Sequence, residues 1–213
     1  MNIELKVAQL LVSRICHDLA GGVGALSTGA ELLAEEGGAV DEAAIDLIAM
    51  SAKQTSHRLQ FLRIAFGSGG GQAVGPTITT QELHTFFNNF IEGSRLSVVW
   101  NSQNMLIDLE AGKLLLNLCL IASESLPRGG VVEVNVTELE SDLGFGIAAI
   151  GDNAHLAPEF RALMCQTVDV EKLTPKNVHG HLTAVLAAQL GAQLEVSPDA
   201  VGELRLAALL PRS

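Results

Sequence analysis

Two stretches within the first 66 residues carry apolar or small residues spaced alternately three and four apart. In a helix, that spacing forms one continuous face that packs against other helices. In the first stretch the repeating residues are Leu5, Ala8, Val12, Ile15, Leu19, Gly22, Leu26, Gly29 and Leu33. In the second stretch they are Ile45, Ile48, Ala52, Thr55, Leu59, Leu62 and Phe66. Because only a short turn separates them, the two stretches predict an antiparallel helical hairpin.

The ends of the two helices are predicted from their capping residues. The first helix is expected over 3–36 and ends at Gly37–Gly38, because glycine readily adopts the left-handed conformation that closes a helix. Asp41 is the predicted N-cap of the second helix. One hairpin cannot bury its whole apolar stripe, so we expect two copies to form a four-helix bundle, that is, a homodimer.

Composition restricts the classes of partner. The chain has 213 residues, of which 48% are hydrophobic and 17% charged, and this is ample for a folded core. The net charge of −11 argues against nucleic acid as a partner, because such binding needs a basic patch. No signal peptide or membrane-spanning run is recognised, and Cys16, Cys119 and Cys165 show no paired ligand pattern. We therefore expect a cytoplasmic protein with reduced thiols that acts on a protein partner and not at a membrane.

A glycine-rich segment divides the chain into two predicted domains. Residues 1–67 form the helical hairpin, 68–76 the linker and 77–213 the second domain. In the second domain, helices are predicted at 81–91, at 111–126, after Pro158 and at 175–190, and strands at 96–101, 131–139, 144–150, 193–197 and 203–209. This order lacks strict strand–helix–strand alternation and therefore predicts an α/β sandwich with a mixed sheet covered on one face. The predicted fold class is α+β.

The first helix carries one histidine outside its apolar stripe. With Val12 and Ile15 at heptad positions a and d, His17 lies at position f, where its ring is open to water. Most side chains one turn away are small; these neighbours are Ser13, Arg14, Ala20, Gly21 and Gly24. A surface histidine without a role is the simplest interpretation. The glycines argue against this interpretation, because each costs a helix about 0.5–1 kcal/mol relative to alanine. The position of Asp18 beside the ring also argues against it.

Five stretches together carry a resemblance to a known family. They are SRICHDL at 13–19, VGA at 23–25, RLQFLRIAFG at 58–67, KLLLNL at 113–118 and LPRGG at 126–130. In combination they resemble the histidine phosphotransferases of the ChpT family of alphaproteobacteria. The resemblance implies the layout of a histidine-kinase core, in which a dimerising phosphoacceptor hairpin precedes an ATPase-like α/β sandwich. Gly22 stands where this family usually has a proline.

Compared with the kinases that it resembles, the second domain has degenerate nucleotide-binding motifs. Asn117 can stand for the first asparagine of the N-box, but the second position is Ile121. The adenine-binding motif at Asp152 has lost both glycines, and the glycine-rich lid keeps only Gly180. The resemblance therefore implies a degenerate domain that does not bind ATP. Asn117 and Asp152 are then expected to be structural residues, at a helix surface and in a turn after a strand.

The resemblance implies a function centred on His17. This residue would accept a phosphoryl group from an aspartate in the receiver domain of a hybrid histidine kinase and pass it to the aspartate of a response-regulator receiver domain. Asp18 is expected to orient the ring or accept a proton, and Arg14 to contact receiver or phosphoryl oxygens. Magnesium is expected on the partner receiver domain. The surface predicted to dock that domain comprises Leu10, Ser13, Ala20, Gly21 and Gly24.

Other functions stay open on the residues alone. An active histidine kinase would need intact nucleotide motifs, whereas a receiver phosphatase would share the site and release free phosphate. A non-catalytic dimeric docking scaffold would leave His17 as a plain surface residue. His155, His179 and His181 lack the ligand spacing of a zinc site. We expect neither a cofactor nor a metal in this chain.

Overall fold

The structure is a computed structural model that describes residues 5–35, 42–67, 75–165, 170–197 and 200–211. Several predictions from the sequence fall outside these ranges. They are the start of the first helix at residue 3, its end at Gly37–Gly38, the N-cap Asp41 and most of the linker at 68–76.

The N-terminal part is the predicted hairpin, with helix α1 at Leu5–Glu35 and helix α2 at Glu42–Phe66. Small residues let the two helices approach each other closely. A Cβ atom on Gly22 would collide with the side chain of Thr55, and one on Gly29 would lie 2.6 Å from Cγ1 of Ile48. Helix α1 runs without interruption through Gly22. The glycine in place of the usual proline therefore makes room for α2 and does not end the helix.

The rest of the chain contains four helices and seven strands within the described residues. The helices are α3 (Thr80–Ile91), α4 (Leu109–Glu124), α5 (Pro158–Cys165) and α6 (Val178–Gln189), and a 3₁₀ turn spans Val170–Lys172. The strands are β1 (Thr77–Thr79), β2 (Leu96–Asn101), β3 (Leu106–Asp108), β4 (Gly130–Glu138), β5 (Asp142–Ile150), β6 (Gln193–Val196) and β7 (Glu203–Pro211). Every predicted element is present. The antiparallel pair of β1 and β3 was not predicted, because three residues are too few to show an alternating pattern.

The main sheet has the strand order β2-β4-β5-β7-β6. Strands β2 and β4 are parallel and the other neighbours are antiparallel, so the prediction of a mixed sheet is confirmed. Alternate residues of β5 are buried, namely Leu143, Phe145, Ile147 and Ala149. Helices α4 and α6 pack on this sheet. The α+β fold class predicted from the sequence is confirmed.

The hydrophobic core is continuous between the end of α2 and the second part of the chain. Phe61, Leu62, Ile64 and Ala65 are buried in the same cluster as α4 and the inner face of the sheet. The ring of Phe61 stacks on that of Phe90, with 4.1 Å between centroids. The base of the hairpin is thus anchored in the sandwich, which restrains α1 relative to α4 and α6.

Among the described helices, none is long and apolar enough to cross a membrane.

Asn117 does not lie at a helix surface, so that prediction is wrong. Its side chain is fully buried because α4 is enclosed by the sheet on one side and by α2 and α3 on the other. The Nδ2 amide donates to the backbone carbonyls of Ala65 and Lys113, both at 2.8 Å. Asn117 is a structural residue, as predicted, but its role is to join α4 to the end of α2.

Candidate functional site

The imidazole of His17 is among the more exposed groups on α1. Its side chain is 86% accessible to solvent, and its Nδ1 atom lies 3.2 Å from Oδ1 of Asp18. A carboxylate can only accept a hydrogen bond, so in this contact Nδ1 carries the hydrogen. The lone pair of the neutral ring is then on Nε2, which is the nitrogen left to react with an incoming group.

The helix surface beside His17 is open. Gly21 and Gly24 are exposed, and a Cβ atom on either would meet no other atom within 4 Å. Ala20 and Ser13 are exposed as well, and the Ser13 hydroxyl donates to the carbonyl of Gln9. A second protein can therefore approach the ring from this side without displacing a side chain of the same helix.

Leu10 is not the exposed apolar contact that the sequence predicted. It is half-buried and packs on a small cluster made by Val7 with three residues of the second part of the chain, Leu163, Leu173 and Val178. The reason is that the N-terminal half of α1 lies against α5 and α6, a contact that helical periodicity cannot reveal. Leu10 therefore belongs to the interface between the hairpin and the sandwich.

Arg14 also faces the sandwich and not open solvent. Its Nε atom lies 2.6 Å from Oδ2 of Asp18, and its Nη2 atom forms an ion pair with Oε1 of Glu124 on α4. The Arg14 and Asp18 side chains are only 13% and 15% exposed. The prediction that Arg14 contacts a receiver or its phosphoryl group thus needs correction, since two carboxylates of the same chain already hold the guanidinium.

Two residues of this site were not predicted to belong to it, since Glu124 was not singled out and His179 was considered only as a zinc ligand. Glu124 ends α4, and His179 is fully buried in the first turn of α6. The His179 Nε2 atom lies 2.9 Å from Oε2 of Glu124, although the N–H is poorly aligned for a regular hydrogen bond. The Nδ1 atom of His179 lies 3.3 Å from Nη1 of Arg14. The i, i+4 spacing of Arg14 and Asp18 was a usable signal in the sequence, but nothing local connects either residue to Glu124.

The charges in this cluster are set by burial and by the neighbours. Burial alone would raise the pKa of the Glu124 carboxyl, but His179 and Arg14 outweigh it and lower the pKa below the ordinary glutamate value. Burial alone would lower the pKa of Arg14, but Glu124 and Asp18 raise it above its ordinary value. Glu124 is therefore ionised at neutral pH, and Arg14 is a permanent cation between carboxylates.

The remnants of the nucleotide motifs take part in packing. Ile121 is 1% exposed within the core. A Cβ atom on Gly180 would lie 2.7 Å from the ring of Phe160, which itself packs on His179 with 4.9 Å between centroids. Asp152 lies exposed in the turn after β5, as predicted. In the part of the chain that the structure describes, no three His, Cys, Asp or Glu side chains are grouped to hold a metal ion.

The chain is similar to known proteins along most of its length. Residues 80–201 match the family described as histidine phosphotransferase C-terminal domain. The protein phosphotransferase ChpT of Brucella abortus (strain 2308) is 36% identical over 196 residues, which cover 92% of this chain and 92% of that protein. A solved structure of a bacterial phosphotransferase shares 32% identity and superposes with a TM-score of 0.83 over 97% of both chains. The histidine kinase AdeS of Acinetobacter baumannii is 12% identical with a TM-score of 0.52, over 92% of this chain and 97% of that one, which is a likeness of fold alone.

Proposed function

The chain belongs to the histidine phosphotransferase family, and from this premise we propose that His17 is the residue that carries the phosphoryl group. In this proposal His17 accepts the group from an aspartate in the receiver domain of a hybrid histidine kinase. It then passes the group to an aspartate of a response-regulator receiver domain, as an intermediate of a cytoplasmic phosphorelay. The observation that supports the proposal most strongly is the exposed ring of His17 with Asp18 at its Nδ1 atom.

The transfer uses the lone pair of Nε2. In the first step Nε2 attacks the phosphorus atom, a nitrogen–phosphorus bond forms, and the acyl phosphate oxygen leaves as the aspartate carboxylate of the receiver domain. In the second step a carboxylate oxygen of the next receiver domain attacks the same phosphorus, and the imidazole leaves. Magnesium on the receiver domain would stabilise the charge of the phosphoryl group.

Asp18 serves the ring during both steps. Its Oδ1 atom accepts the hydrogen on Nδ1, so the neutral ring presents its lone pair at Nε2 before the attack. Once phosphorylated at Nε2, the ring carries a positive charge beside the Asp18 carboxylate, which stabilises it. Ser13, Ala20, Gly21 and Gly24 border the ring and are proposed to form the surface that docks the receiver domain.

The protein is proposed to act as a homodimer through α1 and α2. Several large apolar residues of the two helices are exposed on the protomer; these are Leu5, Val12, Val23, Leu32, Ile45, Met50 and Leu59. Exposed apolar residues in such number on one hairpin are typical of an interaction surface. A second hairpin carries the matching stripe and would complete the four-helix bundle predicted from the sequence.

The second domain is proposed not to bind ATP, and this separates the phosphotransferase from a histidine kinase. Ile121 and Gly180 stand in packed surroundings where a kinase needs groups that contact nucleotide. Calorimetry with ATP, with and without magnesium, is expected to show no binding at micromolar concentrations. Binding in that range would revive the kinase alternative.

The proposed function is tested by mixing the protein with a receiver domain labelled on its acyl phosphate. Label is expected to move to this chain, to be absent from His17→Gln, and to be stable in alkali and labile in acid, as a phosphoramidate is. The control is His155→Gln, which replaces an exposed histidine of the second domain and should accept label normally. Release of free phosphate without label on the chain would favour the phosphatase, and label on His17→Gln would refute the assignment.

A further inference from the structure

We propose that Glu124 and His179 are positioning residues for His17, and that they act through Arg14 and Asp18. The inference rests on the proposed function of His17 and assigns the second domain a role in it. The contacts run from His17 Nδ1 to Asp18 Oδ1 at 3.2 Å, and from Asp18 Oδ2 to Arg14 Nε at 2.6 Å. They continue from Arg14 Nη2 to Glu124 Oε1, and from Glu124 Oε2 to His179 Nε2 at 2.9 Å. We refer to Asp18, Arg14, Glu124 and His179 as the Arg14 network.

Arg14 couples the orientation of Asp18 to contacts with the second domain, because its N–H groups form a rigid planar fork. One edge of the fork faces Asp18. The other nitrogens contact acceptors of the second domain, namely Glu124, His179 Nδ1 at 3.3 Å and the carbonyl of Lys176 at 3.4 Å. These acceptors therefore determine the orientation of the guanidinium plane. The guanidinium in turn determines which oxygen of Asp18 is left for His17.

The far end of the network is itself held in place. The Arg14 guanidinium can only donate, so Nδ1 of His179 accepts and the neutral ring carries its hydrogen on Nε2, toward Glu124. The ring is fully buried between Phe66 and Phe160, with centroid distances of 6.5 and 4.9 Å. Glu124 thus has a fixed neighbour at Oε2 and directs Oε1 to Arg14. Water is a poor substitute for these contacts, since Arg14 and Asp18 are mostly buried.

The consequence for His17 concerns its tautomer. Asp18 offers Oδ1 to Nδ1 because its other oxygen is held by Arg14. If Arg14 lost its partners on the second domain, the Asp18 carboxylate could rotate away from the ring. An imidazole without such an acceptor populates both neutral tautomers in water, and the form with hydrogen on Nε2 has no lone pair there to attack phosphorus. A domain that does not bind nucleotide would in this way still control the reactivity of the acceptor.

A second ion pair between the hairpin and the sandwich provides a matched control. Lys6 Nζ lies 2.7 Å from Oε2 of Glu171, and both side chains are more exposed than those of the Arg14 network. Lys6 precedes His17 by about three helical turns. Removing the Glu171 charge therefore weakens a contact between hairpin and sandwich without touching Asp18 or Arg14.

The experiment measures the ring nitrogens of His17 and the transfer rate in Glu124→Gln, His179→Gln and the control Glu171→Gln. Nitrogen-15 NMR of the full chain identifies the His17 signals by their loss in His17→Gln. The wild type and Glu171→Gln are expected to show the tautomer with hydrogen on Nδ1. In Glu124→Gln and His179→Gln the signals should move toward a mixture of tautomers. Single-turnover transfer from a labelled receiver domain should slow by roughly tenfold or more, with the half-saturating receiver concentration unchanged.

Arg14→Lys provides a second route if a Glu124 or His179 variant does not fold, because lysine keeps the charge but lacks the fork. Combined with Glu124→Gln, it should slow transfer no more than the slower single variant, since both changes act through one network. Unchanged ring signals and rates in Glu124→Gln would overturn the inference. So would a slower rate accompanied by a raised half-saturating concentration and unchanged ring signals. The NMR measurement needs no receiver domain. Its result therefore still tests the effect of the Arg14 network on the His17 tautomer if the wild type accepts no label and the proposed function is wrong.

Discussion

The buried Nδ2 amide of Asn117 on α4 donates a hydrogen bond of 2.8 Å to the backbone carbonyl of Ala65 on α2. This bond joins the base of the hairpin to the central helix of the sandwich. It lies among apolar side chains, where no water can replace it at low cost. The relationship between these two residues therefore predicts an effect on stability.

Replacing Asn117 with alanine should lower the free energy of unfolding by about 1–3 kcal/mol, because it removes the donor that Asn117 supplies to the buried Ala65 carbonyl. Chemical denaturation of the full chain measures the change. Asn88→Ala on the exposed side of α3 is the control and should stay within about 0.5 kcal/mol of the wild type. Equal effects of the two substitutions would show that the Asn117 bond contributes nothing.

Leu59→Asp should convert the proposed dimer into a folded monomer. Leu59 is 50% exposed on the protomer, so the charge is tolerated there, whereas burial in the bundle would leave an unpaired carboxylate that costs several kcal/mol. Sedimentation velocity measures the mass, and circular dichroism the retained helix. Val201→Asp, at an exposed turn of the second domain, should remain a dimer. A wild-type monomer at micromolar concentration would contradict the proposed bundle.

Gly21→Leu and Gly24→Leu should stabilise helix α1 and at the same time slow phosphoryl transfer. Each change should raise stability by up to about 0.8 kcal/mol through helix propensity, because a Cβ atom at either position meets no other atom within 4 Å. The same side chains should obstruct a receiver domain at His17 and slow transfer by roughly tenfold or more. Thr28→Leu, at an exposed position one turn beyond Gly24 and about three turns beyond His17, is the control for an added exposed leucine. If both glycine variants transfer at the wild-type rate, the docking surface lies elsewhere.

The Arg14 network should make stability depend on pH in the acid range. The folded-state pKa of Glu124 is lowered, so its stabilising contribution is fully present above the unfolded-state pKa, about 4.3. The contribution is lost as the pH falls through the lower folded-state pKa. Glu124→Gln should be less stable than the wild type at pH 7, and the difference should shrink as the pH is lowered from about 5 toward the folded-state pKa. A difference that is constant over this range would argue against an ionised Glu124 in the network.

The sequence was sufficient for the local features of this protein. Apolar spacing in steps of three and four predicted α1 and α2, and alternation predicted β4 and β5, because these periods follow from backbone geometry alone. The heptad position of His17 predicted an exposed ring for the same reason. The order of helices and strands predicted the α+β fold, and family motifs predicted the phosphotransferase function; the comparisons confirm both.

Tertiary structure decided which surfaces face one another. Leu10 and Arg14 lie on α1 within two turns of His17, yet they face the sandwich because α5 and α6 pack there. Glu124 follows Arg14 by 110 positions, so no local pattern links the two residues. Asn117 is buried because the sheet, α2 and α3 enclose α4. Burial and ion pairing depend on contacts between distant segments, and a periodic pattern along one helix carries no information about the partner that will cover it.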